Sequence, residues 1–192
     1  VFDDIAAPRV ASLLRGFSAP VRLHADQEAS DLAFLLRHES DGFSRWEAAQ
    51  QLARSALSGV LAGAAEVPQL RIWCDTLAEL FTADIDPAML AELLTPPDYN
   101  ELAQTCDPLD PAALHSARET LEQTLALRLG DALGARHTLL LRSEAGGLDG
   151  ASRGRRRLLN RCLRLWLRID VELAPEVAAT RYVLAPSMTE RL

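Results

Sequence analysis

The chain has 192 residues, 48% of them apolar, so it can bury the core of one ordinary domain. Its net charge of -7 at pH 7 argues against a general nucleic-acid-binding role. No stretch approaches the roughly 20 apolar residues of a membrane span, and the first residues do not resemble a secretory signal, so we expect no membrane association.

The number and spacing of the cysteines indicate the cellular compartment. The three cysteines, Cys74, Cys106 and Cys162, are odd in number, far apart and surrounded by apolar residues. This pattern favours buried, reduced thiols in a cytoplasmic protein, with a disulfide or a metal role as the alternative.

Residues 1–23 differ from the rest of the chain. Pro8, Gly16 and Pro20 recur at intervals that prevent a long helix, and short apolar pieces lie between them. We expect one or two β-strands whose sheet partners lie elsewhere, because a two-stranded piece alone is marginally stable.

From about residue 26 the pattern is helix after helix. The first predicted helix begins at Asp26 or Ser30 and ends near His38. The second is capped by a Ser44–Glu47 capping box and runs to about Ala62. We expect neighbouring helices to pack on its apolar stripe, with Trp46 as the bulky anchor. The stripe consists of Trp46, Ala49, Leu52, Ala53, Ala56 and Leu57.

Aspartate-proline pairs predict further helix starts, because the carboxylate caps the helix and proline suits its first position. The pairs are Asp86-Pro87, Asp107-Pro108 and Asp110-Pro111. Asp86 and Asp110 therefore begin helices, and two further helices are predicted with Pro68 in the first turn of one and Asp98 at the start of the other. The one that begins at Asp110 is the longest and reaches about Leu140, unless Gly130 and Gly134 bend or split it.

The last part contains a Gly-rich loop over 143–152, a helix from about Arg153 to Ile169, and a helix that Pro175 opens and Leu184 ends. We therefore predict a mostly α fold of antiparallel helix pairs in a superhelical, solenoid-like array, with a short N-terminal β segment. The predicted division is 1–23 for the strand segment and 24–192 for the helical domain.

Both ends look cut. The chain begins at Val1, and a second capping box, Ser187 to Glu190, opens a helix with almost no helix behind it. We therefore expect the chain to be part of a longer polypeptide.

No motif in the sequence completes an active site. His38-Glu39 matches the first half of the zinc-protease motif H-E-x-x-H, but Gly42 occupies the position of the second histidine. Gly146, Gly147 and Gly150 lack the lysine and the preceding strand of a phosphate loop, and no G-x-S-x-G is present. We predict no catalytic, cofactor-binding or metal-ligating residue.

A basic run covers residues 153–168, and four of its arginines share one helical stripe. In the interpretation that we favour, these arginines pair with acidic residues of adjacent helices. The alternative is that they form a surface for nucleic acid or another anionic partner. The favoured interpretation follows from the acidic chain and the lack of interleaved aromatic residues. The stripe is Arg157, Arg161, Arg164 and Arg168.

Three stretches resemble the bacterial aminopeptidase N family, the zinc-dependent alanyl aminopeptidases. They are Ser12 to Val21 (SLLRGFSAPV), Phe34 to His38 (FLLRH) and Asp41 to Gln50 (DGFSRWEAAQ). Weaker similarity occurs at Ile85 to Ala88 and at Asn160 to Arg164. The resemblance covers nearly the whole chain and is strongest over residues 12–57.

The resemblance implies the end of a β-sandwich domain followed by the first part of a helical C-terminal domain. In that family a separate thermolysin-like domain holds H-E-x-x-H and the zinc, and no functional residue transfers to this chain. The expected role is non-catalytic, in a cytoplasmic metallopeptidase that removes N-terminal amino acids from peptides: this region caps the catalytic cleft. The chain alone is expected to be inactive and to bind no cofactor.

The expected partners are the catalytic domain and the remaining helical domain, with peptides as substrates of the whole enzyme. Because orphan strands and an uncovered helical end expose backbone and apolar groups, the isolated chain is also expected to self-associate. The alternative function is a free-standing helical-repeat scaffold that binds a protein partner.

Overall fold

In a computed structural model, residues 10–17, 25, 27–103, 110–142 and 147–185 are described. These ranges contain nine α-helices and no strand. None of these helices is long and apolar enough to cross a membrane. The predicted helical array is confirmed. Its helices are α1 (Ala29–His38), α2 (Gly42–Leu61), α3 (Pro68–Thr82), α4 (Pro87–Leu93), α5 (Tyr99–Ala103), α6 (Pro111–Leu129), α7 (Ala132–Arg142), α8 (Gly150–Trp166) and α9 (Leu173–Leu184).

The described part of the N-terminal segment, residues 10–17, contains a 3-10 turn at Arg15–Phe17 and no strand. It lies against the start of α2, where the amide of Gly16 donates to Asp41 Oδ2 at 3.0 Å. The other residues of the predicted strand segment, 1–9 and 18–23, lie outside the described ranges. The predicted division at residue 23 stays a prediction.

Helix α2 begins earlier than the sequence predicted, and the prediction of a capping box formed by Ser44 and Glu47 is wrong. The N-cap is Asp41, whose Oδ1 accepts a hydrogen bond from the Ser44 amide at 2.8 Å. Ser44 is buried inside the first turn. Glu47 pairs instead with Arg54 at 2.6 Å. A carboxylate three residues upstream caps the helix, so the serine is free to turn inward.

The first half of the molecule is organised around α2, which packs against α1, α3, α4 and α6. Ala49, Ala53 and Ala56 are fully buried, and their small side chains let these helices approach closely. The predicted anchor, Trp46, is only partly buried and packs at the edge of the core. Trp73 of α3 is the fully enclosed tryptophan.

The predicted aspartate caps are confirmed where the structure describes them. Asp86 Oδ1 accepts from the Met89 amide at 3.0 Å, and Asp98 Oδ1 accepts from the Glu101 amide at 2.8 Å. Asp110 Oδ1 accepts from the amides of Ala112 and Ala113 at 2.9 and 3.0 Å. The pair at residues 107–108 lies outside the described ranges.

The predicted long helix is split at Gly130, where a φ of 51° and a ψ of -135° end α6 and only glycine is unstrained. Gly134 does not bend the chain and lies inside α7. The predicted start of α8 at Arg153 is late by one turn, because Asp149 caps the helix through the Ser152 amide at 2.9 Å.

The second half of the molecule is organised around α8, which packs against α4, α6, α7 and α9. Gly154 allows α8 to cross the first turn of α4, since a Cβ there would lie 2.8 Å from the Ala88 Cβ. Helix α9 begins two residues before Pro175, because Asp170 Oδ1 accepts from the Leu173 amide at 2.8 Å.

We predict that Trp73→Ala destabilises the chain by about 3–5 kcal/mol, because it empties a fully enclosed site between packed helices. Trp46→Ala should cost distinctly less, since part of that ring already faces water. Urea denaturation of both variants measures the difference. Equal losses for the two variants would contradict the placement of Trp73 in the core.

Candidate functional site

The half-motif His38-Glu39 has a structural role at the end of α1. The His38 ring lies 4.7 Å from the ring of Phe34 one turn earlier. Glu39 Oε1 accepts from the amide of Asp41 at 2.8 Å and so shapes the turn into α2. Gly42, at the position of the missing histidine, is the first residue of α2.

Metal-ligating residues do not converge in the part of the chain that the structure describes, where no group of three His, Cys, Asp or Glu could hold a metal ion. Cys74 and Cys162 are buried free thiols there, and burial raises the pKa of each to about 12. Cys106 lies outside the described residues. The lack of catalytic, cofactor-binding and metal-ligating residues stays a prediction.

The described part of the Gly-rich loop, for which the sequence predicts no phosphate-binding role, is tied to the start of α8. Gly150 is the first residue of α8, and the Gly147 carbonyl accepts from Arg156 Nη1 at 2.8 Å. Gly146 lies outside the described residues.

Three arginines of the α8 stripe pair with acidic residues of adjacent helices, which confirms the favoured interpretation for them. Arg157 pairs with Glu92 of α4, and Arg168, just beyond α8, pairs with Glu119 of α6 at 2.6 Å. Arg161 pairs with Glu122, as described next. Arg164, the fourth, is exposed and forms no ion pair with the described residues.

The Arg161–Glu122 pair is enclosed in the core, with side-chain exposures of 6% and 1%. Arg161 Nη1 donates to Glu122 Oε1 at 3.1 Å, while Nε and Nη2 donate to the Leu94 carbonyl at 3.1 and 2.7 Å. Burial raises the pKa of Glu122, but Arg161, Arg168 and Arg118 outweigh it and hold that pKa below its usual range.

A cleft of about 710 Å³ lies between the end of α4, the outer face of α8 and the inner face of α9. Among the described residues that line it, four are arginines and none is aspartate or glutamate. The lining consists of Ala91, Thr95, Arg157, Asn160, Arg161, Leu163, Arg164, Leu167, Ala178, Ala179, Arg181 and Tyr182.

A hydrogen bond joins the α9 wall of the cleft to α8. Arg181 Nη2 donates to Asn160 Oδ1 of α8 at 2.9 Å. Beneath it lies His137 of α7, 1% exposed, with its ring 5.9 Å from the ring of Trp166. Burial, followed by the charge of Arg181, lowers the pKa of His137 to about 4, so this imidazole is neutral at pH 7.

A second pocket, of about 390 Å³, lies between α3, α6 and the residues after α2. Its lining holds two arginines, Arg71 and Arg128, and Arg128 pairs with Asp75 of the same lining at 2.7 Å, so part of its positive charge is balanced there. The α4–α8–α9 cleft is larger and its described lining holds no carboxylate, so it is the stronger candidate for a binding site. None of the described residues that line it is a nucleophile activated by a neighbouring base.

We predict that Arg161→Ala lowers the free energy of unfolding by about 3–5 kcal/mol, because it removes one of the cations that neutralise the buried Glu122 and leaves the Leu94 carbonyl without its guanidinium donor. Arg161→Met combined with Glu122→Leu should cost less than the sum of the single losses. Arg153→Ala, an exposed arginine of the same helix, is the control. Additive losses in denaturant would contradict the coupling.

Comparison with known proteins gives concordant results. The chain is 40% identical to aminopeptidase N of Caulobacter vibrioides over 162 residues, which is 84% of this chain and 19% of that protein. It is 35% identical to aminopeptidase N of Escherichia coli over 196 aligned residues, covering 100% of this chain and 22% of that protein. The chain thus spans about a fifth of the length of these relatives.

A solved structure matches the fold. The crystal structure of Legionella pneumophila aminopeptidase A in complex with aspartic acid superposes with a TM-score of 0.81 at 28% identity, over 99% of this chain and 23% of that one. These similarities confirm the predicted resemblance to aminopeptidase N. The family model described as "Domain of unknown function (DUF3458_C) ARM repeats" matches residues 29–192. The match spans nearly all of the helical part, and the chain therefore belongs to this ARM-repeat family.

Proposed function

We propose that this chain is the non-catalytic helical region of an aminopeptidase N-like zinc metallopeptidase that removes N-terminal amino acids from peptides in the cytoplasm. The observation that carries the proposal is similarity along the whole chain to one stretch of a much longer aminopeptidase, 35% identical and 22% of its length. The aminopeptidase structure matched over 99% of the chain supports the same assignment.

Zinc does not fit the donor groups described in this chain. Cys74 and Cys162 are enclosed thiols on different helices, and the high pKa of each keeps it protonated, whereas zinc binds the thiolate. His137 is enclosed beside Trp166. In our proposal the metal and the reacting groups therefore belong to another part of the longer enzyme, and this region contributes shape.

The proposed contribution is to cap the catalytic cleft and to restrict entry to short peptides. A cap needs a body whose helices are held together, and buried polar contacts support this for the helical array. Arg161 and Glu122 join α8 to α6, and the Leu94 carbonyl joins both to the end of α4. Stacked helix pairs of this kind form extended walls that hold their curvature.

The test uses the catalytic part of the enzyme prepared without residues 29–192, with and without this chain added separately. We expect the catalytic part alone to cleave both a dipeptide and a long polypeptide, and the added chain to suppress only cleavage of the long one. Chain carrying Arg161→Ala, which loosens the cap, is the control and should suppress less.

Two results would contradict the proposal. One is unchanged discrimination between short and long substrates when the chain is added. The other is stoichiometric zinc bound by the purified chain alone, or aminoacyl-anilide hydrolysis by it, because either would place the catalytic centre within these residues.

The outer face of α9 should be covered in the longer enzyme. Val171, just before α9, and Val183 and Leu184 at its end are 85%, 75% and 72% exposed. Apolar patches of this kind usually mark contact surfaces. We propose that the remaining helical domain packs here, and that the isolated chain self-associates through the same face.

We predict that Val183→Glu combined with Leu184→Glu converts the isolated chain from an associating species to a monomer, because buried carboxylates are costly. Light scattering over a concentration series measures this. Leu127→Glu, on α6 at 63% exposure, is the matched control and should leave association unchanged. A wild-type chain that stays monomeric at high concentration would contradict self-association.

A further inference from the structure

Charge is segregated along the chain. Residues 27–103 contain thirteen carboxylates and four arginines, whereas residues 147–185 contain eight arginines and four carboxylates. A molecule of net charge -7 therefore has a basic region that its overall charge conceals. A local excess of one sign attracts partners that carry the other.

The last turn of α7 and the first turns of α8 lie at the same end of a helix pair. A Cβ at Gly134, near the start of α7, would lie 2.9 Å from Trp166 Cζ2 at the end of α8, so the two helices run antiparallel. Arg142, the last residue of α7, therefore lies beside the start of α8. We call this end the α7–α8 corner, and it consists of Leu139, Arg142, Leu148, Arg153, Arg155 and Arg156.

The four arginines of the α7–α8 corner are not neutralised by the part of the chain that the structure describes. Arg142 and Arg153 are exposed, and Arg155 and Arg156 are half-buried. None of the four forms an ion pair with the described residues. Arg156 Nη1 donates to the Gly147 carbonyl at 2.8 Å, which holds this side chain at the corner and leaves its charge uncompensated.

Carboxylates near the corner are too few to balance these arginines. Residues 142–156 contain two, Glu144 and Asp149, and Glu144 lies outside the described residues. Asp149 is engaged as the cap of α8, where it accepts from the Ser152 amide at 2.9 Å and from the Ser152 hydroxyl at 2.8 Å. Asp86, on the helix that α8 crosses, caps α4 in the same way. The guanidinium groups therefore keep hydrogen-bond donors for a partner.

Exposed leucines accompany the arginines at the corner. Leu139 is 60% exposed and lies one turn before Arg142 on the same face of α7, because residues three apart are neighbours on a helix. Leu148, just before the cap of α8, is 87% exposed. Large apolar side chains rimmed by charged ones mark contact surfaces, so a partner for this corner combines carboxylates with apolar groups.

We propose that the α7–α8 corner binds an acidic, amphipathic segment of a protein partner. Its carboxylates pair with Arg142 and Arg153, since a guanidinium matches a carboxylate in charge and geometry, and its apolar residues cover Leu139 and Leu148. Nucleic acid fits less well, because it would leave the leucines uncovered and its phosphates would extend over the acidic residues 27–103. This inference does not depend on the proposed aminopeptidase role.

The probe is a fluorescein-labelled peptide in which leucines are interspersed among glutamates. Fluorescence polarisation measures its binding to the full chain. Two matched probes carry Gln in place of Glu, or Ser in place of Leu. We expect the Glu–Leu peptide to bind at least about tenfold more tightly than either, because charge-assisted hydrogen bonds and apolar burial both contribute. Its affinity should fall as salt is added, since salt screens exposed charges.

Arginine variants assign the binding to the corner. Arg142→Ala combined with Arg153→Ala should weaken the Glu–Leu peptide about tenfold, since each exposed ion pair contributes about threefold. The corresponding double lysine variant keeps the charge and should weaken binding less. Arg71→Ala, an exposed arginine of α3 that also forms no ion pair with the described residues, is the matched control and should change nothing.

A leucine variant tests the apolar part of the same surface. Leu148→Ser should weaken the Glu–Leu peptide about tenfold and leave the weaker binding of the Glu–Ser peptide unchanged. Leu127→Ser, on α6 at 63% exposure, is the control for loss of an exposed leucine elsewhere. Circular dichroism checks that each variant keeps its helices, which we expect because the substituted side chains are exposed.

Any of four results would overturn the proposal. They are no binding of the Glu–Leu peptide to the wild-type chain, equal binding of the Gln peptide, a loss from Arg71→Ala as large as that from the double alanine variant, and competition by single-stranded oligonucleotide or phosphatidylglycerol vesicles as strong as by unlabelled peptide. The last result would identify a general anion surface. A failure of the substrate-length test leaves this outcome unaffected, so the two proposals are separable.

Discussion

The buried pair of Arg161 and Glu122 is the interaction on which the second half of the molecule depends. Each charge would be costly alone inside the core, so the pair forces α8, α6 and the end of α4 into one relative position. The Leu94 carbonyl, left without a helical partner where α4 ends, is satisfied by the same guanidinium. The charged pair fixes the relative position of these helices, whereas an apolar contact would allow them to slide past each other.

Arginine does different work at neighbouring positions of one stripe of α8. At a buried position, the planar fork of Arg161 satisfies a carboxylate and a carbonyl at once, which an ammonium group could not do with the same geometry. One turn further along the helix, Arg164 is exposed in the cleft. Burial therefore decides whether a guanidinium of this stripe holds the fold or presents a charge.

Local features were predictable from the sequence, and features set by packing were not. Asp86, Asp98 and Asp110 cap their helices as predicted, because capping depends on residues within one turn. Trp46 was a wrong choice of anchor, since helical spacing cannot tell which of two tryptophans faces the most helices. The cleft depends on how α9 packs against α8 and α4, and no periodicity within one helix encodes its position relative to another.

His137, enclosed beside Trp166 beneath the α9 wall, links folding to proton uptake. Its pKa falls from an ordinary value of about 6.5 in the unfolded chain to about 4 in the folded one, through burial and then Arg181. Between these values the unfolded chain binds a proton that the folded chain does not. The stability that the neutral ring contributes is complete above about pH 6.5 and is lost as the pH falls toward 4, so mild acid lowers the free energy of unfolding.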